Sequence, residues 1–425
     1  MLKNKLLLVI ALSLINTVIA AQVLTYDSVR IVILTKNPEL EMYRNQSKSM
    51  DAMAIGAKAW DAPQIGIGFF MTPYNTSYWS PRVMNIDGMN SMMPGMGNIM
   101  IQGRQMIPNP SRLNANAKYL SAASSVETEA GNAMANNLLF EAKKLYAQIQ
   151  VLERKIEVLS EAEKILTIMI SLGESKLAYN QEMLSSIYKA KSQKAIVQNE
   201  RIMFENDKKQ KMFYLNSIMN RNDRELFQVD TVMVFKEYEN ELVDTSLLIS
   251  NRSDLKMIEK NLQVATLKQN AEKYKSRPDF GIEYGHMFAF GENPNQFTLM
   301  GMMSIPIAPW SSKMYRSNVT AYDYQMQAYR NQREAIMNES VGMIYGIKNE
   351  LISIKYQKEL YETMILTSLE KSYDLAFLAY QQNTGDLFVA LDARMNLQMA
   401  QLQYEEVLLK LLLMQAEYEK QLQLL

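Results

Sequence analysis

The two halves of this 425-residue chain repeat one another in outline. Asn37-Pro38-Glu39-Leu40 is followed by Ala62-Pro63-Gln64-Ile65-Gly66 in the first half. Arg252-Ser253-Asp254-Leu255 is followed by Arg277-Pro278-Asp279-Phe280-Gly281 in the second, at the same spacing. Each copy continues in one order: a Pro-opened alternating segment, a loop, a second alternating segment ending in Ile107-Pro108 or Ile305-Pro306, then a very long helical stretch. A period of half the chain is too long for a solenoid array. It describes a duplicated unit in which two short strands are inserted between long helices, with repeats over 21–245 and 246–425.

The helices are too long for a globular core. From about Pro110 to Leu172 there is no further proline and one glycine, Gly131. An unbroken helix there would run on the order of 90 Å. Leu138, Leu145, Leu152, Leu159 and Leu166 recur every seventh residue; Ala142, Ile149, Ile156 and Ile170 fill the second seam, with Glu163 the exception. Such a heptad pattern predicts lengthwise coiled-coil packing. A second helix is expected over about 183–220, and the pair recurs over 312–380 and 385–425. There Ile347, Ile354, Tyr361 and Leu375 share one seam, interrupted at Ser368.

The strands indicate location. Ile65, Ile67, Phe69 and Met71 alternate with Gly66, Gly68 and Phe70; Phe280, Ile282, Tyr284, His286 and Phe288 alternate with smaller or polar residues; Phe297, Leu299, Met303 and Ile305 do likewise. The segment 99–106 alternates less cleanly, around Gln102 and Arg104. About nine extended residues with one apolar face is what an outer-membrane strand requires. Membrane strands are therefore expected over 63–72, 98–107, 279–288 and 297–306, with loops 73–97 and 289–296 outside. Four strands cannot close a barrel, and an open edge is not tolerated in lipid. Several chains would have to pool them, and three chains would supply twelve.

The first twenty residues fit an export signal: Lys3 and Lys5, the apolar run Leu6 to Ile15, then Val18-Ile19-Ala20 before Ala21. The absence of cysteine excludes disulfides, thiolate metal sites and cysteine nucleophiles. Forty-five basic residues balance forty-five acidic ones, so no bulk field favours nucleic acid. Catalytic motifs are absent too: no Gly-x-Ser-x-Gly, no His-Glu-x-x-His, no phosphate-binding glycine loop, and a single histidine, His286. The expectation is a non-enzyme without a cofactor.

These residues carry a resemblance. Asn37-Pro38-Glu39-Leu40, Pro63-Gln64-Ile65-Gly66, Ile107-Pro108, Asn251-Arg252-Ser253-Asp254-Leu255, Arg277-Pro278-Asp279-Phe280-Gly281 and Ser304-Ile305-Pro306-Ile307 are short, but their order, doubling and spacing together are specific. With Ala379-Tyr380, Thr384-Gly385-Asp386-Leu387 and Ala390, the chain resembles the TolC-type outer-membrane efflux proteins over essentially its whole mature length. The resemblance implies a mainly α chain with membrane β-strands, and a homotrimer with a twelve-stranded barrel in the bacterial outer membrane continuing into a periplasmic helical tunnel. It implies the role of exit duct for an inner-membrane RND-type pump joined by a periplasmic adaptor (membrane fusion) protein. The rival reading is an exported coiled-coil scaffold or adhesion-type binding protein without a channel. The resemblance also places a gate at the helix–helix turns, with Tyr179 in the first and Tyr380, Gly385 and Asp386 in the second. The first turn, 178–183, lacks the glycine of the second. Asp386 there suits either an acidic ring or a cap for the last helix.

Methionine hints at cargo. Seven of the 32 methionines fall between Met84 and Met106. Met89, Met92, Met93 and Met96 lie in a Gly/Pro-punctuated stretch, expected as a loop where thioethers are not needed for packing. Thioethers are soft ligands suited to Cu(I) or Ag(I). The run Gln105-Met106-Ile107-Pro108-Asn109-Pro110 resembles the CusC-like, heavy-metal subset of the family.

Overall fold

The computed structural model describes residues 23–222, 224–241 and 245–425; the expected export signal lies outside them. In chain order the elements are β1 (Val23–Leu24), α1 (Tyr26–Lys36), α2 (Pro38–Gly56), β2 (Gln64–Phe70), β3 (Arg82–Ile86), β4 (Met89–Met93), β5 (Asn98–Ile107), α3 (Pro110–Leu177), α4 (Leu184–Ile218) and β6 (Gln228–Val229). They continue with α5 (Thr245–Asn251), α6 (Ser253–Tyr274), β7 (Asp279–Ala289), β8 (Gln296–Ser304), α7 (Pro309–Leu360), a π-helical turn (Tyr361–Ile365), α8 (Leu366–Gln381) and α9 (Leu387–Leu422). Among the described residues the chain divides into two compact units: one reaching to Met42 and including Gly131–Ser253 and Met337–Leu425, the other of Tyr43–Ala130 and Asp254–Ile336. Each unit draws on both halves of the sequence.

The first unit is helical. The heptad seam of α3 is buried as expected at Ala142, Ile149, Leu152, Leu159, Leu166 and Ile170. Burial extends beyond one seam, to Leu139, Tyr146, Ala162 and Met169. The reason is that α3 has several partners: one core joins it to α1 and α4, and another joins it to α4, α8 and α9. Glu163 is a clasp rather than a defect. Its carboxylate accepts from Gln198 Nε2 of α4 at 2.6 Å and lies 3.4 Å from Arg201.

The second long seam requires a correction. Ile344, Ile347, Leu351 and Ile354 are buried, but Leu375 is 67% exposed. The π-helical turn at Tyr361–Ile365 explains this. A π-turn accommodates one extra residue, which rotates everything after it by one helical position. Past the turn the seam passes to Leu366, Leu369, Tyr373, Ala376 and Tyr380, whose inner members Tyr373 and Tyr380 are buried. Ser368 interrupts a stripe that the backbone has already left.

The second unit holds a four-stranded antiparallel sheet in the order β2-β5-β7-β8. All four strands coincide within two residues with the expected membrane segments. The weakly alternating segment is β5, one of the two central strands, whose apolar and polar sides both contain long side chains. Proline sets the junction to the following helix. Pro110 opens α3, where its missing N–H costs nothing, and Asn109 Oδ1 accepts from Ser111 N at 2.9 Å. Asp279, at the start of β7, accepts from Asn109 N at 2.8 Å and pairs with Arg112 at 2.7 Å. The two halves of the sequence are thus fastened at the foot of the sheet.

The stretch 73–97 is not the irregular loop the sequence led one to expect. It holds a β-ribbon, β3 with β4, in the register Arg82↔Met93 to Ile86↔Met89. Asp87 and Gly88 form its two-residue turn with φ of 52° and 82°, the left-handed pair that a tight hairpin demands.

Candidate functional site: the sheet faces and the helix turns

One face of the sheet is apolar and uncovered. Register places Ile65, Ile67 and Phe69 of β2 beside Gly103, Ile101 and Ile99 of β5; these pair onward with Tyr284, His286 and Phe288 of β7, and the first two of those with Leu299 and Phe297 of β8. Ile65 is 80% exposed and Phe297 69% exposed, and the same holds in kind for Ile67, Phe69, Phe280, Ile282 and Leu299. His286 sits within this face, edge-on to Phe288 at 4.5 Å. A contiguous apolar surface of this extent marks an interaction with a membrane or another protein.

The chain's three tryptophans flank that face. Trp60 precedes β2 and Trp310 follows β8, and the antiparallel register puts both at one end of the sheet. Both are exposed. At the other end Trp79 stacks on Phe290 with ring centroids 5.0 Å apart and packs against Phe69, and its indole N–H donates to the Pro73 carbonyl at 2.9 Å. The opposite face of the sheet carries glycine, polar residues and methionine, with Phe70 and Ala289 at one end. There Gln102 lies over Gly66, and Arg104 faces Glu283 at 4.0 Å.

The ribbon separates the methionines singled out in the sequence. Met89 and Met93 share a side with Met84, Met92 lies on the other, and Met96 follows the strand, its N–H donating to the Tyr78 carbonyl at 2.7 Å. Within the ribbon Met92 is thus on the opposite side from Met89 and Met93. An Asp-Gly pair between two alternating runs was the signal that would have found this hairpin.

The helix turns belong to the other unit, and there Tyr380 lies near Asp386 and Glu182. Tyr380 is 1% exposed and packs in the core with Leu387, Ala390 and Leu391 of α9 and Leu166 of α3. Lys176, at the end of α3, donates to the Tyr380 carbonyl and lies over its ring at 4.0 Å. Burial, with the Glu182 and Asp386 carboxylates nearby, raises the Tyr380 phenol above its ordinary pKa. Gly173 is the contact point of the two hairpins: a methyl there would meet Leu387 at 3.2 Å and Ile187 at 3.3 Å. Tyr179 stands exposed at the first tip.

The missing glycine of the first turn proves immaterial. Asn180 and Asn383 take the left-handed conformation at the two tips, with φ of 55° and 60°. Asparagine tolerates that region because its short amide bonds locally. Gly385 is required for a different reason: a methyl there would fall 2.9 Å from the Ala379 Cβ. Asp386 is the N-cap of α9, its carboxylate accepting from Phe388 N at 2.9 Å.

No family-wide sequence profile matches the chain, and no curated protein matches it by sequence. Solved structures do match. The outer membrane protein VceC of Vibrio cholerae superposes with a TM-score of 0.70 at 13% identity, over 93% of this chain and 95% of that one. The chain has the fold of the TolC-type outer-membrane channels. CusC matches it with a TM-score of 0.71 at 14% identity, over 93% of this chain and 91% of that one. The MtrE outer membrane channel of Neisseria gonorrhoeae matches with a TM-score of 0.70 at 12% identity, over 93% and 88%. Among the described residues no helix of this TolC-type fold is long and apolar enough to cross a membrane.

Proposed function

We propose that the chain is the outer-membrane exit duct of an efflux system, passively conducting cargo to the exterior from a periplasmic adaptor and an inner-membrane RND-type pump. The observation that carries this is the sheet: four antiparallel strands, open at β2 and β8, with one face apolar and largely exposed. In hydrocarbon an open edge leaves backbone groups without partners. Pairing β8 of one copy with β2 of the next removes the edges, and three copies give a twelve-stranded barrel. The apolar face then meets lipid, with Trp60 and Trp310 at one boundary and Trp79 at the other, as interfacial aromatic girdles do.

In this reading residues 1–20 direct export, and 21–245 and 246–425 are the two copies of an ancestral repeat. The helices form the periplasmic tunnel, and the turns bearing Tyr179, Tyr380, Gly385 and Asp386 close its far end. Three copies of Asp386 would form an acidic ring attractive to cations. The proposed cargo is a soft metal ion, copper or silver, supported by the abundance of methionine. A scaffold without a channel would leave the whole apolar sheet face in water, which soluble proteins avoid.

Fractionation tests the proposal. The full-length chain should partition with the outer membrane, migrate as a heat-sensitive trimer, and conduct potassium in planar bilayers. A soluble periplasmic monomer would overturn it.

A further inference from the structure

The glycine-rich polar side of the sheet is where its sulfur is concentrated. Met100, Met106, Met287, Met300 and Met302 all fall on this side, whereas only Met303 falls on the apolar one. The polar side carries no leucine, isoleucine or valine, although those residues crowd the opposite face. Methionine is not a favoured strand residue; β-branched and aromatic side chains are. If apolarity alone were required here, the residues used on the other face would serve better. What a thioether adds is its soft sulfur.

The geometry sets three of these side chains over glycines. Gly281 lies in register between Met106 and Met302. A methyl at Gly281 would fall 2.6 Å from Met106 Sδ and 3.3 Å from Met302 Cε. The two side chains therefore lean over the glycine from the strands on either side. Met100 Sδ does the same at Gly285, 3.5 Å from where a methyl would stand. Glycine at these positions clears floor space that a side chain would fill. Arg104 and Glu283 face each other on the same side, so the local charge is balanced and recognition falls to the sulfurs.

We infer that this face is a thioether-lined path for soft monovalent metal ions, Cu(I) or Ag(I), with the Met106–Met302 pair over Gly281 as its best-formed station. The inference rests on the duct reading, because only a closed barrel turns the faces of three copies toward one lumen. Thioethers select soft cations over hard ones. Weak, repeated stations suit conduction, since an ion must leave each as readily as it enters. The path lies on the barrel wall, apart from the β3–β4 ribbon.

Silver nitrate titrated into the purified full-length trimer in chloride-free buffer, followed by calorimetry, tests this. Wild type should bind more than one Ag(I) per chain. Replacing all five methionines with leucine keeps volume and apolarity while removing sulfur, and should weaken binding at least tenfold. The milder M106L/M302L variant, which guards against a failure of the fivefold variant to assemble, should weaken it at least threefold. M89L/M92L/M93L, in the ribbon, should retain most of the binding. Silver binding equal to wild type in the fivefold variant, or in the pair variant if the former does not assemble, overturns the inference and leaves only an apolar wall. Potassium conductance of the same wild-type preparation reports on the duct separately: its loss removes the duct, while the titration still decides the thioether site.

Discussion

At the scale of single residues, two buried glutamates of α9 behave oppositely. Glu419 is buried, which by itself favours its neutral form, yet it accepts from the Tyr238 hydroxyl at 2.6 Å, from Lys236 at 3.0 Å and from Lys143. The donors outweigh burial and hold its carboxyl below the ordinary range. Its stabilising contribution is therefore present above the unfolded-state pKa and fades as pH falls through the folded one. Glu405 has Arg154 at 3.2 Å, but burial dominates and pushes its carboxyl up. Its charged form is a cost at neutral pH that is relieved as pH falls through its raised pKa. Glu419→Gln should cost about 3 kcal/mol at pH 7.5, as breaking a buried ion pair does, and Glu405→Gln clearly less. Thermal unfolding of both variants would show it, with the Glu419→Gln deficit shrinking toward acid pH. A deficit independent of pH would assign the loss to packing.

At the scale of elements, the π-turn decides which face of α8 is buried. Deleting Thr363 removes the extra residue, so an unbroken α-helix should form with the following sixteen residues kept on their present faces. Because the chain has no native cysteine, a Leu375→Cys reporter is unambiguous. It should react readily with an aqueous maleimide in the full-length chain and just as readily in the deletion. Protection of the reporter in the deletion would mean that the turn does not carry one extra residue and that the seam runs on to Leu375. The turn after α8 invites a related comparison. Asn383→Gly should be nearly neutral, because glycine accepts the left-handed conformation freely. Gly385→Ala should lower the unfolding midpoint, because the new methyl meets Ala379. The reverse ranking would show that the Asn383 side chain, and not the space at Gly385, sets the turn.

At the scale of the whole molecule, topology and selectivity are the measurable consequences. A cysteine at Ser91, exposed in the ribbon, should label with an impermeant reagent on intact cells. One at Tyr179, also exposed in the chain, should label only after the outer membrane is permeabilised. Protection at Ser91 or surface labelling at Tyr179 would invert the proposed orientation. For Asp386, asparagine preserves the cap and removes the charge, whereas alanine removes both and should cost about 1 kcal/mol. Lower cation selectivity in planar bilayers for both variants supports the acidic ring. Wild-type selectivity in both leaves Asp386 a cap alone.

Much of this was legible in the chain because periodicity is a local property. Seven-residue spacing in α3 and two-residue spacing in β2, β7 and β8 identify element type and the apolar face of each without reference to anything distant. The Asp87-Gly88 ribbon was legible too, since its turn chemistry is local, although the methionines around it obscured the alternation. The rest depended on what lies opposite. Nothing near Leu375 in sequence reports that a π-turn has rotated it away from its partners, and Glu163 becomes a clasp only when Gln198 and Arg201 face it. Five methionines scattered over three strands became one surface only through the cross-strand register of β5, β7 and β8. Local spacing determines which way a side chain points relative to its own backbone; which side chains it then meets is settled by long-range pairing.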